Sequence, residues 1–440
     1  MSKNRVLFFI LPIFLFGLGL VQFKAALIGE VAMLAAFLLI TLYRAEYGLY
    51  LFALTLPILT YRPLLAFILM ILLLFFVQRP NVEQWKERLR NHLNVAVFLF
   101  LIALFISAIT SANLMLSMKD FGLYFAISFL LYLLIVLQIG RRETLYRFMV
   151  LLILSTTLVS VYGIFQYFTL DFTSAKWGTD KRAFATFGNP NIFAQYLIMI
   201  LPFAFAFIFY AKTWGNRVLF AGQFLVIFLA LLLTFSRGGW VAIFVAIALL
   251  AAMISRRLLV VGMIGGAIGV NFLPASIINR ISTIASPGTD TSASYRFEMW
   301  KSALAMIRDF WVTGIGLDSE TFLKVYSDYM MPDVRVFHFH NIFLMSLVTG
   351  GILSFLTLMY MFYQSARTTV SSLYLNKNYA KDPLLSIVAK AAVCSVIAIG
   401  IAGLTEDVWR QYRVDFLFWM VLAIISVVYN FARKGSEQAQ

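Results

Sequence analysis

The residues of this chain best suited to chemistry are a histidine and three arginines, each set near the edge of an apolar run. His340 ends the string His338-Phe339-His340 and stands, with Asn341, where a strongly apolar stretch begins. A helix start is expected there, and the positive end of a helix disfavours a charged imidazole. A neutral ring suits a general base that takes a proton from a hydroxyl. The free N–H groups of the same helix end suit an anion. The competing reading is an interfacial histidine that only caps the helix. His338, two residues earlier, is expected to point elsewhere.

Arg237 lies in Phe235-Ser236-Arg237-Gly238-Gly239-Trp240, between two apolar runs. A guanidinium pinched there is costly unless it meets an anion, and its fork matches phosphate oxygens at two points. The flanking glycines would let a bulky group approach the backbone. A side chain that reaches to lipid headgroups explains the same residue. Arg182 precedes Phe187-Gly188-Asn189-Pro190-Asn191, which reads as a helix start with an asparagine cap and a proline in the first turn. Arg296 opens a helical pattern with Trp300 one turn on, and pairing with Glu298 or Asp290 would account for it equally. Glu406, Asp407, Arg410 and Arg413 share a short polar break near the C-terminus, placed either to meet a ligand or to pair with one another. His338, Asn341, Asn191 and Glu320 complete the candidates, as supports or as contacts to a second reactant.

The elements that position these groups are membrane spans. Of 440 residues, 62% are hydrophobic and 12% charged, against about a quarter charged in a soluble domain. Repeated apolar runs of about 18 residues or more indicate helices that cross a bilayer, where the backbone must satisfy its own hydrogen bonds. The expected fold is an all-α polytopic membrane protein with about twelve to fourteen transmembrane helices. Fourteen runs qualify: 6–23, 25–43, 47–60, 63–78, 93–110, 119–138, 145–170, 190–211, 216–233, 239–254, 258–273, 341–364, 385–404 and 415–432. The first follows Lys3 and Arg5 and reads as an uncleaved span. Pro57 to Pro63 suggests a kinked or re-entrant hairpin.

Lysine and arginine crowd alternate short loops, which puts both termini, and His92, on the cytoplasmic side. The net charge of +15 belongs largely to that belt, facing anionic lipid. The bilayer is the implied partner, and no soluble basic face suggests nucleic acid. The lone Cys394 excludes an intrachain disulfide and makes a cysteine metal site implausible. Residues 274–340 then form one long extracytoplasmic loop containing short surface helices. It is nearly neutral, with six Lys/Arg and seven Asp/Glu. Ser282 to Ala293 reads as a loop. A helix from Ser294 to about Arg308 would set Phe297, Trp300, Leu304 and Ile307 on one face, laid on the membrane surface or on the bundle. After a turn at Thr313 to Gly316, Asp318 would cap a second helix burying Phe322, Val325, Tyr326 and Tyr329.

Taken in order, these motifs resemble the O-antigen ligase and O-antigen polymerase family of bacterial membrane glycosyltransferases. The resemblance rests on Arg182 with Phe187-Gly-Asn-Pro-Asn191, Ser236-Arg237-Gly238-Gly239, Arg296-x3-Trp300-x2-Ala303, Asp309 with Gly314-Ile315-Gly316, His340-Asn341-x2-Leu344 and the pair Gly350-Gly351. It covers about residues 180 to 355. The family's usual Asp-x-Pro before Gly-x-Gly is here Asp309-Phe310-Trp311. The resemblance implies a multi-pass protein of the bacterial cytoplasmic (inner) membrane with its site facing outward. The reaction it implies takes a glycan from undecaprenyl diphosphate to an acceptor hydroxyl on a lipid, glycan or protein, in surface polysaccharide or cell-envelope assembly. It implies no cofactor and no metal. His340 would be the base, and Arg237, Arg296 and Arg182 would hold the diphosphate. The chain then divides into N-terminal spans (1–180), a ligase-like region (181–432) and a cytoplasmic tail (433–440).

The reading from another class is a transporter or flippase of a small solute or lipid-linked sugar. It would call for charges deep in mid-span and two related halves, and Glu30 is the main lone acid within a span. A peptidoglycan polymerase of the shape, elongation, division and sporulation type would share the lipid carrier. No Walker loop, HExxH or DxD motif occurs to support nucleotide or metal chemistry.

Overall fold

Among the described residues the apolar runs fold as helices. The computed structural model describes residues 26–77, 82–170, 181–272, 274–285, 291–332, 334–407, 409 and 411–438, and no strand occurs among them. The expected span 6–23 lies outside the described residues, as does the side chain of Glu30. The helices are α1 (Ala26–Tyr43), α2 (Ala45–Thr55), α3 (Tyr61–Val77), α4 (Val82–Leu89), α5 (His92–Ile109), α6 (Leu114–Gln138), α7 (Arg142–Thr169), α8 (Pro190–Tyr210), α9 (Trp214–Leu233), α10 (Arg237–Ile254) and α11 (Arg256–Gly269). They continue with α12 (Ala275–Ala285), α13 (Thr291–Phe310), α14 (Ser319–Tyr329), α15 (Ile342–Ala380), α16 (Pro383–Ala402) and α17 (Tyr412–Glu437).

Nine of the described helices are long and apolar enough to cross a membrane: α5 to α10 and α15 to α17. Shorter apolar helices occupy Met33–Tyr43 and Tyr61–Val77. The run 258–273 forms only the 14-residue α11 and a 3₁₀ turn, and none of the residues of α11 is buried. Between α2 and α3 the chain turns at residues 56–60, the expected hairpin. Arg413 donates there to the carbonyls of Ile58 and Leu59, and also to that of Thr186.

One apolar core runs through both halves of the chain, from Phe37 to Val428. α17 lies at its centre, with 89% of its apolar window enclosed. It continues to Glu437, so the segment from 433 begins as helix rather than tail. Arg433 ties that end to the carbonyls of Glu87 and Arg90. Near it lie Arg141 with Glu46 and Arg142 with Asp382. Helix connectivity puts this basic end opposite the end that carries residues 181–189, 234–236, 274–341 and 403–411.

The long polar segment departs from expectation in one respect and sharpens it in another. Ser282 to Ala293 is not loop throughout, because α12 runs to Ala285 and α13 starts at Thr291. The face of α13 that packs on the protein is a neighbouring stripe. Met299, Ala303 and Met306 are enclosed, whereas Phe297 and Leu304 are 54% and 61% exposed. The physical reason is that α13 packs on α14 and on residues 334–339 through this narrower stripe, leaving its second apolar stripe facing outward. α14 behaves as expected: Phe322 and Tyr326 are buried, Val325 and Tyr329 pack against them, and Asp318 Oδ1 accepts from Thr321 N at 2.8 Å.

Glycines join this segment to the bundle. Gly351 adopts φ 64° and breaks α15. The exposed main chain there meets the 311–316 turn through Ile315 N to Val348 O (2.9 Å), Gly316 N to Thr349 O (3.1 Å) and Ile352 N to Trp311 O (2.8 Å). A Cβ on Gly314 would strike the Thr349 carbonyl, and one on Gly351 the Val312 carbonyl.

Candidate active site

Glu406, just past the end of α16, is the group on which the site converges. It is 8% exposed. Its Oε1 accepts from Asn191 Nδ2 (2.6 Å) and from Arg296 Nη2 (3.2 Å). Its Oε2 lies 2.9 Å from His340 Nδ1. Arg182 stands behind Asn191, donating Nη2 to Asn191 Oδ1 (2.6 Å) and Nε to the Thr234 carbonyl (2.7 Å).

Local sequence explains the convergence. Asn189 caps α8 by accepting from Asn191 N and Ile192 N, with Pro190 in the first turn. The cap is thus Asn189, and the amide of Asn191 is left to bridge Arg182 and Glu406. Asn341 caps α15 in the same way, accepting from Phe343 N (2.9 Å) and Leu344 N (3.0 Å). Its Nδ2 donates to Leu404 O, and Ile342 N donates to Gly403 O at 2.8 Å. These bonds hold the 403–406 turn against the start of α15, which is why Glu406 meets His340. His340 is therefore not the cap. It takes φ 47°, a conformation costly for a side chain with a Cβ and found where surrounding structure enforces it, often at functional sites.

A cavity opens beside this cluster. Among the described residues, Arg182, Arg237, Arg280 and Arg296 line it together with Glu406. Arg237 stands in the first turn of α10, whose free N–H groups add positive potential. Arg280, on α12, donates Nε to the Phe235 carbonyl at 3.4 Å. The glycines after Arg237 line the cavity and also pack closely. A Cβ on Gly238 would strike Thr405, and one on Gly239 would press on Ala194 at 3.1 Å.

Burial pushes the Glu406 carboxyl up, but the hydrogen bond and charge of His340, with Arg296 and His338, outweigh it. Its pKa lies below the ordinary 4.5, so it is ionised at neutral pH. In the neutral form of the ring, a proton held on Nδ1 by Glu406 leaves the lone pair on Nε2 of His340. The His338 ring lies 4.1 Å from that of His340, centroid to centroid, so His338 points into the site rather than away. His338, His340 and Glu406 bring one ligand atom each within 4.8 Å of one another, a set that could hold a metal ion. The Arg296 charge on the same carboxylate opposes a cation there.

Of the candidates read from the sequence, Arg182, Asn191, Arg237, Arg296, His338, His340 and Asn341 come together. Glu320 does not: it is exposed in the first turn of α14, outside the cavity. Arg296 pairs with Glu406 rather than with Glu298, which meets Lys301 instead; Asp290 lies outside the described residues. Glu406 and Arg280 carry the least warning in the sequence. Glu406 is separated from His340 by 66 positions, and its only signal is an acid at the end of an apolar helix.

No curated protein matches the chain. Residues 222–359 match the family model described as O-antigen ligase. That stretch holds Arg237, Arg280, Arg296, His338, His340 and Asn341, so over about a third of its length this multi-pass helical protein is similar to the O-antigen ligase family.

Proposed function

We propose that the chain transfers a glycan from undecaprenyl diphosphate to an acceptor hydroxyl at the outer face of the bacterial cytoplasmic membrane. The observation that carries this reading is the shared carboxylate of Glu406, which joins the His340 imidazole to a cavity lined by four arginines. Guanidinium forks match a diphosphate, and an imidazole oriented by a carboxylate matches a hydroxyl that must lose its proton.

In the reaction, His340 Nε2 takes the acceptor hydroxyl proton as that oxygen bonds to the anomeric carbon. The bond from the anomeric carbon to the phosphate oxygen breaks, and its electron pair leaves with undecaprenyl diphosphate. Arg237, Arg280 and Arg296 stabilise the charge that develops there. Glu406 keeps the Nδ1 proton in place and stabilises the imidazolium that forms. The acceptor is a lipid, a glycan or a protein hydroxyl.

The deciding experiment incubates purified protein with lipid-linked glycan and candidate acceptors and measures released undecaprenyl diphosphate. Release coupled to glycosylated acceptor supports transfer. Movement of lipid-linked glycan across a vesicle membrane without release would make the chain a flippase. The reaction is read as metal-independent, so dialysis against EDTA should leave turnover intact; loss restored by a divalent ion would instead assign the His338, His340 and Glu406 set to a metal. Orientation is open to labelling, because Cys394 is buried. Asp328→Cys should react with an impermeant reagent in intact cells and Lys86→Cys only after permeabilisation. The reverse pattern would turn the site to the cytoplasm.

A further inference from the structure

The Glu406 turn has a second side. Asp407, the next residue, lines another cavity, which among the described residues no arginine lines, of about 150 Å³, small beside pockets for whole ligands, about 300–1,000 Å³, and so suited to a single small unit. Asp120, Tyr124 and Phe125 of α6 line it, with Ser319 at the start of α14 and Trp409 beyond Asp407. Its wall adjoins the site by a second route, since Met345 lines it and accepts from Phe339 N, one residue before His340.

We propose that this cavity is a saccharide subsite that seats a pyranose unit of the glycan donor or of the glycan acceptor. A pyranose offers hydroxyls at its rim and C–H groups on its faces. The cavity supplies hydrogen-bonding side chains and aromatic rings to match: Asp120, Asp407, Ser319 and the Tyr124 phenol beside Phe125 and Trp409. The indole is held by rings at 5.6 Å (Phe100), 5.9 Å (Phe125) and 5.5 Å (Phe418). Independently, Phe121–Ala126 is wound as a π-helix. Such wide turns are uncommon and occur frequently at functional sites; here the wide turn carries Tyr124 and Phe125 to the cavity wall. The subsite rests on the transferase reading for the nature of the glycan, but its binding can be measured apart from turnover.

The test uses the full chain in nanodiscs, with lipid-linked glycan extracted from the source cells and bare undecaprenyl diphosphate as probes. Asp120→Asn and Tyr124→Phe remove a charge and a hydroxyl with little change of shape. Both should bind bare undecaprenyl diphosphate as the unmodified chain does. Each should raise one KM on the order of tenfold with kcat little changed. A rise in the donor KM assigns the pyranose to the donor, and a rise in the acceptor KM assigns it to the acceptor. Unchanged KM for both substrates in both variants would overturn the subsite while leaving the transferase reading intact. If the unmodified chain releases no undecaprenyl diphosphate, the transferase reading fails, and binding of the oligosaccharide freed from its lipid decides the subsite. Weaker binding by Asp120→Asn than by the unmodified chain keeps it; equal or absent binding removes it.

Discussion

Residues 222–359 contribute Arg237, Arg280, Arg296 and His340, which are three cations and an imidazole. The chain on either side contributes Arg182, Asn191 and Glu406, which between them grip the matched residues. The first group faces the proposed reactants. The second group decides where the first can point, through one carboxylate and one amide. A site described from the matched stretch alone would lack the carboxylate that Arg296 and His340 share. Chemistry and its alignment come from different parts of the chain, and the two should fail differently.

Removing the base should have the largest effect. His340→Asn is expected to lose about 10²–10⁴-fold in transfer rate while keeping its melting temperature, because Asn341 and not His340 caps α15. Vigorous transfer by that variant would reduce His340 to scaffold. Next comes its positioning residue. Glu406→Gln keeps the shape but loses the charge that fixes the Nδ1 proton, and kcat should fall roughly 10²-fold. The same carboxylate titrates below its ordinary 4.5 when folded. Its contribution to stability is complete above that value and lost as the pH falls through the lower folded pKa. Acid melting curves should show this loss in the unmodified chain and show it flattened in Glu406→Gln. Matching curves would mean that the carboxylate is not coupled to its neighbours.

The arginines sharpen the contrast further. Arg237→Lys should lose most of its activity, about tenfold or more, because a point charge replaces a fork. Arg182→Lys, whose guanidinium is bound to Asn191 and the Thr234 carbonyl, should lose only about a few-fold, because the ammonium keeps the charge and can keep one of these two bonds to neutral acceptors. Equal losses would place Arg182 on the diphosphate as directly as Arg237. Asn341→Ala leaves the Ile342 N to Gly403 O bond to hold the 403–406 turn, so it should show the smallest change in turnover and cost about 0.5–2 kcal/mol of stability, read from denaturant melts.

How much of this was legible beforehand varies with the kind of signal. Spans follow from hydropathy, so α5 to α10 and α15 to α17 sit where the apolar runs do. The caps at Asn189, Asp318 and Asn341 are local chemistry and read equally well. The buried face of α13 does not follow from periodicity, because that helix carries two apolar stripes and only tertiary packing chooses Met299, Ala303 and Met306 over Phe297 and Leu304. Glu406 and Arg280 are hard to see for a different reason. Each becomes a site residue only through a neighbour far away in the chain, and neither stands in a motif of its own.

The break at Gly351 fixes the level of the outer segment. In an unbroken helix the Ile352 amide would bond the Val348 carbonyl. Instead the amide turns to Trp311 and the carbonyl receives Ile315, so polar main chain at that depth is satisfied without water. These bonds read no side chain. They act as a register mark between residues 311–316 and α15, in the manner of a short strip of sheet. Side chains on α13 and α14 can be exchanged without sliding that mark, so the outer segment can acquire a new surface while His340 stays at the same height above the bundle.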